Sequence, residues 1–352
     1  VPTLNGSFAF VSNALDRTIA VFHIDQSHSH LRFVEQIQAG ESVMPLCVAP
    51  GGGSLYAAIR GAAPAILNFS IDAASGDLSL RHAVPVDAPM VHLATDRTGK
   101  YLLAASYGDS LLNMYEAGGA LLQSIKDVPQ AHAAIVSPDG RFVYASSLGT
   151  DSVLCFALSP SLEHIETVFV ENSFGPRHLR FSPTGDALYV LSEFRATVAV
   201  FQRDASSGRL HLQSISPRPA ALSNLSDGRM RPRSNDPVQI NPKILATLVW
   251  AADLHVRPDG RFLYASERTS SRLLIYRAGA QVECVGSVET EEQPRGFAID
   301  PDGRFLVACG EKSEQVSLYA IDAESGELTL VSRCAGGRGA NWVEIIAAPG
   351  KV

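Results

Sequence analysis

His92, His132, Arg177, Asp253, Arg295 and Trp342 follow one another at intervals of 40, 45, 76, 42 and 47 residues. The residue types are those of polar-ligand chemistry. An imidazole titrates close to neutrality and can take a proton from water or a hydroxyl. A guanidinium presents a planar fork of donors to an oxyanion or an anionic substituent. Further candidates lie in the same neighbourhoods: His178 beside Arg177, Glu193, His255 two residues past Asp253, Glu267 and Arg268, and Lys312 after Glu311. Taken singly, each has an equal alternative as a residue that binds ordered water or satisfies a strand end. Taken together they read as a site, because desolvating so many charges without a purpose is costly.

The elements that must position them are legible as a repeat. Ser137-Pro-Asp-Gly-Arg-Phe-Val-Tyr144 returns as Arg257-Pro-Asp-Gly-Arg-Phe-Leu-Tyr264 and Asp300-Pro-Asp-Gly-Arg-Phe-Leu-Val307. Looser copies begin at Ser182, Asp96, Pro50 and Asn5. Proline presets φ at the first corner, aspartate bonds back to the backbone, and glycine takes the positive φ, which joins two antiparallel strands tightly. A second count comes from the aromatics that close the next strand: Phe22, Phe69, Tyr115, Phe156, Phe201, Tyr276 and Tyr319. Their separations are 47, 46, 41, 45, 75 and 43 residues. A period of roughly 45 residues with about four strands each predicts a β-propeller, and seven copies predict seven four-stranded blades in one domain spanning 1–352. Residues 339–349 read as a first strand with no blade after them, while the chain starts at a second-strand copy, Ser7-Phe-Ala-Phe-Val11. The C-terminal strand is therefore expected to complete the N-terminal blade and close the ring without free edges. No Gly-His and Trp-Asp pairs mark a WD40 array.

First strands line the channel of a propeller, and the Pro-Asp-Gly turns that follow them all fall on one face. Aligned on those turns, Met44, Val91, His132, Arg177, Ala252, Arg295 and Val343 share one position. His92, His178, Asp253 and Glu344 share the next, with His255 two residues beyond Asp253. Glu193, Glu267, Arg268, Glu311 and Lys312 come from the loops between second and third strands on the same face. One mouth of the channel thus gathers basic and acidic groups from several blades, the default location for a ligand. The 75-residue interval holds about thirty extra residues, 217–249, rich in Pro, Ser, Asn and Arg and expected on that face. A lid, an oligomer contact and a plain surface excursion are all compatible with them.

Composition excludes several classes. Hydrophobic residues make up 46% and charged residues 18%, as in a well-buried all-β protein rather than a disordered chain. The net charge of −7 leaves no electrostatic footprint for nucleic acid, and no apolar run is long enough to span a bilayer as a helix. Cys47, Cys155, Cys284, Cys309 and Cys334 have no metal-type spacing and read as buried reduced thiols, which leans towards the cytoplasm. The start shows no signal pattern, yet it lacks a Met, so a removed leader and a periplasmic location stay open. His28-Ser-His30 is too small a set to define a metal site.

The segments Gly175-Pro-Arg-His178, Trp250-Ala-Ala-Asp-Leu-His255, Glu267-Arg-Thr-Ser270, Gln293-Pro-Arg-Gly-Phe297 and Gly310-Glu-Lys-Ser313, with Trp342, occur in blade order. In these the sequence resembles the propeller-type 6-phosphogluconolactonases, the lactonase family of seven-bladed propellers, over all but the insertion. That family also includes fungal enzymes that cycloisomerise carboxymuconate with a histidine, two arginines and a glutamate. The resemblance implies hydrolysis of a sugar δ-lactone, 6-phosphogluconolactone first, or else of another aldonic or aldaric lactone. Carried over, His132, Arg177 and Glu193 match by order, and Arg295 or Arg268 supplies the second arginine. It implies His132 as general base, Glu193 as a second base or as its orienting partner, and Arg177 with Arg295 on the oxyanion or the substrate's anionic group. His92, His178, Asp253, His255, Glu267, Arg268, Lys312 and Trp342 would then bind substrate. Nothing in the sequence requires a metal or an organic cofactor, and no Gly-x-Ser-x-Gly elbow offers a nucleophile. A non-catalytic binding scaffold is the remaining reading, since propellers host many functions.

Overall fold

The Pro-Asp-Gly segments fold into the turns that their composition demands. In the computed structural model, which describes residues 6–231 and 241–347, Gly140, Gly260 and Gly303 take φ of 74°, 75° and 69°. Each donates its N–H to the carbonyl three residues back: Ser137, Arg257 and Asp300 respectively. The residue opening the turn ties it off: Ser137 Oγ accepts from Phe142 N at 3.0 Å, and Asp300 Oδ1 from Phe305 N at 2.8 Å.

Every such turn links the first and second strands of a four-stranded antiparallel sheet, and there are seven sheets among the described residues. The first sheet is the closure. Ala340–Ala347 pairs with Ser7–Asn13, from Ser7 opposite Ala347 to Asn13 opposite Ala340, and Thr18–Asp25 and His30–Gln38 complete that blade. The seven counted aromatics all lie on third strands, and at each the pairing with the fourth strand slips by one residue. The recurrent aromatic therefore marks a recurrent bulge, where extra twist is introduced.

Packing closes the circle a second time. Buried apolar residues form one cluster at each of the seven blade–blade contacts. The first blade shares one cluster with its neighbour in sequence, through Phe8, Phe10, Leu55 and Phe69. It shares another with the last blade, through Val11, Phe22, Val307 and Leu318. An eighth, small cluster of Leu148, Phe194, Leu248 and Trp250 lies where the ends of second strands meet the insertion. Of that insertion, the described part contains a 3-10 turn at Ala220–Leu222 and a helix at Pro242–Leu245. Asn5, Pro349 and the insertion's stretch 232–240 lie outside the described residues. No helix among the described residues is long and apolar enough to cross a membrane.

Candidate active site

At the end away from the turns, five first strands carry a bulge; one, at Asn341, lies on the closing strand, and the other four hold the residues of interest. Pro176 pairs with Ser192 and Leu179 with Val190, so Arg177 and His178 oppose a single residue. The same two-against-one step falls at Ala252 and Asp253, and at Arg295 and Gly296. His132 is the extra residue between Ala131 and Ala133. A bulge frees side chains from strict alternation and re-aims them, here into the channel. Serines on the second strands fasten two of the bulges and stitch each to the next blade. Ser146 Oγ accepts from Ala133 N at 3.0 Å and donates to the Arg177 carbonyl at 2.6 Å. Ser266 Oγ accepts from Asp253 N at 3.0 Å and donates to the Arg295 carbonyl at 2.9 Å.

The second source of side chains is the residue that follows each second strand. In chain order these are Ala14, Arg60, Tyr107, Leu148, Glu193, Arg268 and Glu311. Glu193 is the hub. It is buried, its Oε2 lies 3.3 Å from Arg177 Nε, and its Oε1 accepts from Arg268 Nη2 at 2.6 Å. Burial alone would raise its pKa, but Arg268 and Arg177 outweigh that and hold the carboxyl below its ordinary value. Glu193 is thus an ionised clamp on two arginines, and the expected pairing with His132 is replaced by this one. Arg177 is about 1% exposed, donates through Nη1 to the Ala252 carbonyl, and is disfavoured as a cation chiefly by burial, with Glu193 opposing. Arg268 also donates from Nε to the Trp250 carbonyl at 2.9 Å. Arg295 donates to Glu311 at 3.2 Å, while its Nε has no hydrogen-bond partner among the described residues.

Beside this charged tier lies an imidazole tier. The His178 ring centroid is 5.4 Å from that of His132, 5.5 Å from that of His92 and 5.5 Å from that of Trp342. Tyr107 meets His132 edge-on at 6.1 Å. Burial, reinforced by Arg177 and other cations, pushes the His132 pKa well below 6.5 and leaves a neutral ring whose Nδ1 has no hydrogen-bond partner among the described residues. His92 is lowered likewise, mainly by burial. Burial also lowers His178 to about 3, against the pull of Asp253, whose Oδ1 sits 2.6 Å from His178 Nδ1. Asp253 Oδ2 reaches His255 Nε2 at 3.2 Å. Burial raises Glu344 to about 7, and Trp342 Nε1 donates to it at 3.0 Å.

The structure therefore brings together His132, Arg177, Glu193, Arg268, Arg295, His92, His178, Asp253, His255 and Trp342. Lys312 stands at the rim, exposed, beside Arg268. Glu267 does not belong with them. It is the last residue of its strand and wholly buried, and its two oxygens accept from Trp250 N, Thr269 N, Ser270 N and Ser270 Oγ at 2.6–3.1 Å. One residue's difference along a strand reverses the side chain, so Arg268 faces the mouth and Glu267 holds the loop. Three contributors had no place in the sequence reading: Arg60, Arg180 and Arg231. Arg60 follows a second strand as Glu193 does, and burial with Arg295 lowers it to about 10. Arg180 lies within 3.8 Å of Asp253. Arg231 is stacked 4.0 Å over the Trp250 ring. His28 and His30 turn to different partners, Asp25 and Ser332.

The insertion joins the charged tier through backbone bonds. Gly228 N donates to the Phe194 carbonyl at 2.7 Å, and Ala251 N to the Glu193 carbonyl at 2.9 Å. Arg195 pairs with Asp227 at 3.1 Å. Trp250 Nε1 donates to the Leu245 carbonyl at 3.0 Å.

The sequence pattern of the family described as lactonase, 7-bladed beta-propeller matches residues 16–345. The 6-phosphogluconolactonases of Pectobacterium carotovorum and Yersinia pseudotuberculosis are each 30% identical to this chain over 354 residues, covering 96% of it and 98% of the relative. Among solved structures, a Lactobacillus plantarum protein superposes with a TM-score of 0.81 at 21% identity, over 97% of this chain and 99% of its own. The periplasmic gluconolactonase of Pseudomonas aeruginosa gives 0.80 at 22% identity, over 97% and 99%. Those two likenesses concern the fold. With the ring closed, the blade count matched and the pattern spanning nearly the whole chain, the protein is a member of the lactonase family of seven-bladed β-propellers.

Proposed function

We propose that this chain opens the ring ester of a sugar δ-lactone by hydrolysis, and that its substrate is 6-phosphogluconolactone. The observation that carries the reading is the meeting of a neutral buried imidazole, His132, with the Arg177 and Arg295 guanidiniums at one mouth of the channel. The named relatives, both 6-phosphogluconolactonases, support the choice of substrate.

In this reading a water molecule attacks the lactone carbonyl carbon, and His132 takes one of its protons as the C–O bond forms. His132 is suited to that because its lowered pKa keeps the ring unprotonated at neutral pH. The carbonyl electrons move onto oxygen, and the oxyanion is held by donors of Arg177 and Arg295 that the carboxylates leave free. As the tetrahedral adduct collapses, the bond to the ring oxygen breaks and that oxygen receives the proton from His132. The product carboxylic acid then releases its proton to solvent. Glu193, clamped between two arginines, acts by positioning Arg177 and Arg268.

Rates measured by pH-stat on glucono-δ-lactone and its 6-phosphate, corrected for spontaneous opening, test this. Arg177→Ala should lower turnover about 10²–10³-fold, as removal of an oxyanion donor typically does, and His132→Ala about 10²–10⁴-fold, the usual contribution of a general base. Two folded variants as fast as the parent would remove these assignments, and a parent that opens no lactone would remove the reaction. Five unpaired cysteines suit a reducing compartment, so the cytoplasm is the compartment we assign; fractionation that finds the chain in the periplasm would reverse it.

A further inference from the structure

Beside Arg268, which pairs with Glu193, opens a cavity of about 330 Å³. Its wall comes from three separate places. Arg231, Leu245 and Trp250 belong to the insertion and its junction, Arg268 follows a second strand, and Gln293 and Lys312 come from the next blade. Among the described residues, three cations thus face one hollow, against a single lining carboxylate, Glu292.

The geometry prepares these cations for an anion. Trp250 is pinned by its bond to the Leu245 carbonyl, and the Arg231 guanidinium carbon sits over the indole, 4.0 Å from its centroid. A guanidinium held over an indole by cation–π attraction does not spend its N–H donors on a protein acceptor there. Arg268 is anchored by the Trp250 carbonyl and by Glu193, so it belongs both to the cavity and to the clamp on Arg177. The cavity is therefore linked to Arg177 by two ion pairs, Arg268–Glu193 and Glu193–Arg177. The cations also crowd one another. Burial, with Arg268 next, lowers Arg231 to about 10 against the pull of Glu193.

We infer that this cavity receives the terminal phosphomonoester of the substrate, so that the insertion rather than the ring of bulges sets preference for a phosphorylated lactone. The inference rests on the lactone-hydrolysis reading above. A phosphomonoester carries a charge of about −1.5 to −2 and three strong acceptor oxygens at neutral pH, which suits three cations arriving from three directions. A carboxylate tail shares the anion chemistry but offers two oxygens and one charge.

The test compares kcat/KM for 6-phosphogluconolactone, glucono-δ-lactone and a δ-lactone ending in a carboxylate, in the parent and in Arg231→Gln and Lys312→Gln. The ratio of phosphorylated to unphosphorylated lactone should fall about tenfold or more in each variant, the usual scale for losing a charge-assisted hydrogen bond. Inorganic phosphate should raise the Tm of the parent, and the shift should shrink in both variants. A ratio unchanged in both variants would overturn the inference while leaving hydrolysis intact. So would a larger loss on the carboxylate lactone than on the phosphate. If the parent opened no lactone, the reaction itself would be wrong, and the phosphate-dependent Tm shift would still decide whether the cavity binds this anion.

Discussion

The two ends of the first strands solve different problems with the same backbone. At one end, Ser137, Arg257 and Asp300 each begin a Pro-Asp-Gly turn, and the glycines repeat the same positive φ. At the other end, the bulges repeat in register but carry His132, Arg177 with His178, Ala252 with Asp253, and Arg295 with Gly296. The turns repeat in letters because their task is local: fixing φ and satisfying a few N–H groups. Under the proposed reaction, the bulges repeat only in geometry because each contributes a different group to one shared substrate. A propeller ring lets a repeated backbone present unlike side chains to a common point, so variety at an equivalent position is itself the mark of the working face.

If that division holds, substitutions on the working face should change rate, and those that also break its charge balance should cost the most stability. Glu193→Gln is expected to be the most damaging to folding. It removes the counter-charge of both Arg177 and Arg268, each about 6% exposed or less, and breaking a buried ion pair on one side costs about 3–5 kcal/mol. Thermal or urea unfolding checks it. A loss below 1 kcal/mol would mean that the clamp is solvated and that the charged tier is looser than it looks. His132→Ala and Arg177→Ala come next, with their main effect on turnover, as given above.

Comparable substitutions at the turn end should leave the rate alone. Asp300 is buried, accepts from Arg304 N and Phe305 N at 2.7 and 2.8 Å, and takes a bond from Gln26 Nε2 at 3.0 Å. Asp300→Ala leaves those donors unsatisfied and should cost about 1–3 kcal/mol with kcat/KM for the lactone unchanged. Glu267→Gln gives the sharper comparison, because Glu267 lies on the working side yet spends its oxygens on Trp250, Thr269 and Ser270. An amide can accept only through its oxygen, so a stability loss of about 1–3 kcal/mol is expected, again with KM little changed. A KM that rises while Tm stays put would return Glu267 to the substrate.

What the sequence made legible follows the same line. The blade count and ring closure were readable because turn chemistry is local and the third-strand aromatics recur at a fixed place. Most of the mouth was readable once first strands were aligned on their turns. Glu267 was misplaced because a one-residue boundary error at a strand end reverses the side chain. Arg60 escaped because its blade opens with Pro50-Gly-Gly-Gly, a degenerate copy of the turn. Arg231 escaped because the insertion has no counterpart in other blades. The pairing of His178 with Asp253, 75 residues apart, is a contact between neighbouring blades that no local pattern records.

The finest discrimination between the two ends comes from pH, because the working face stores its imidazoles uncharged. His92, His132 and His178 are held below 6.5, the last to about 3, in each case chiefly by burial. In the unfolded chain these rings would take up protons near pH 6.5, whereas in the folded protein they stay neutral. Their contribution to stability is therefore complete above pH 6.5 and is lost as pH falls below it, by up to about 1.4 kcal/mol per pH unit for each ring. Glu344 acts with the opposite sign. Raised to about 7, its carboxyl is protonated in the folded state first, so it weakens the protein as pH rises from 4.5 towards 7 and offsets one ring in that interval. The three rings outweigh it, and burial lowers His255 in the same direction, so Tm should fall steeply from pH 6.5 to 5. The double variant His92→Gln/His178→Gln removes two of the responsible rings and should flatten that slope even though it lowers Tm at pH 7.5. A slope unchanged in the double variant would show that these rings titrate as exposed histidines do. The imidazole tier would then be open to solvent, and His132 would face water that the guanidiniums do not order.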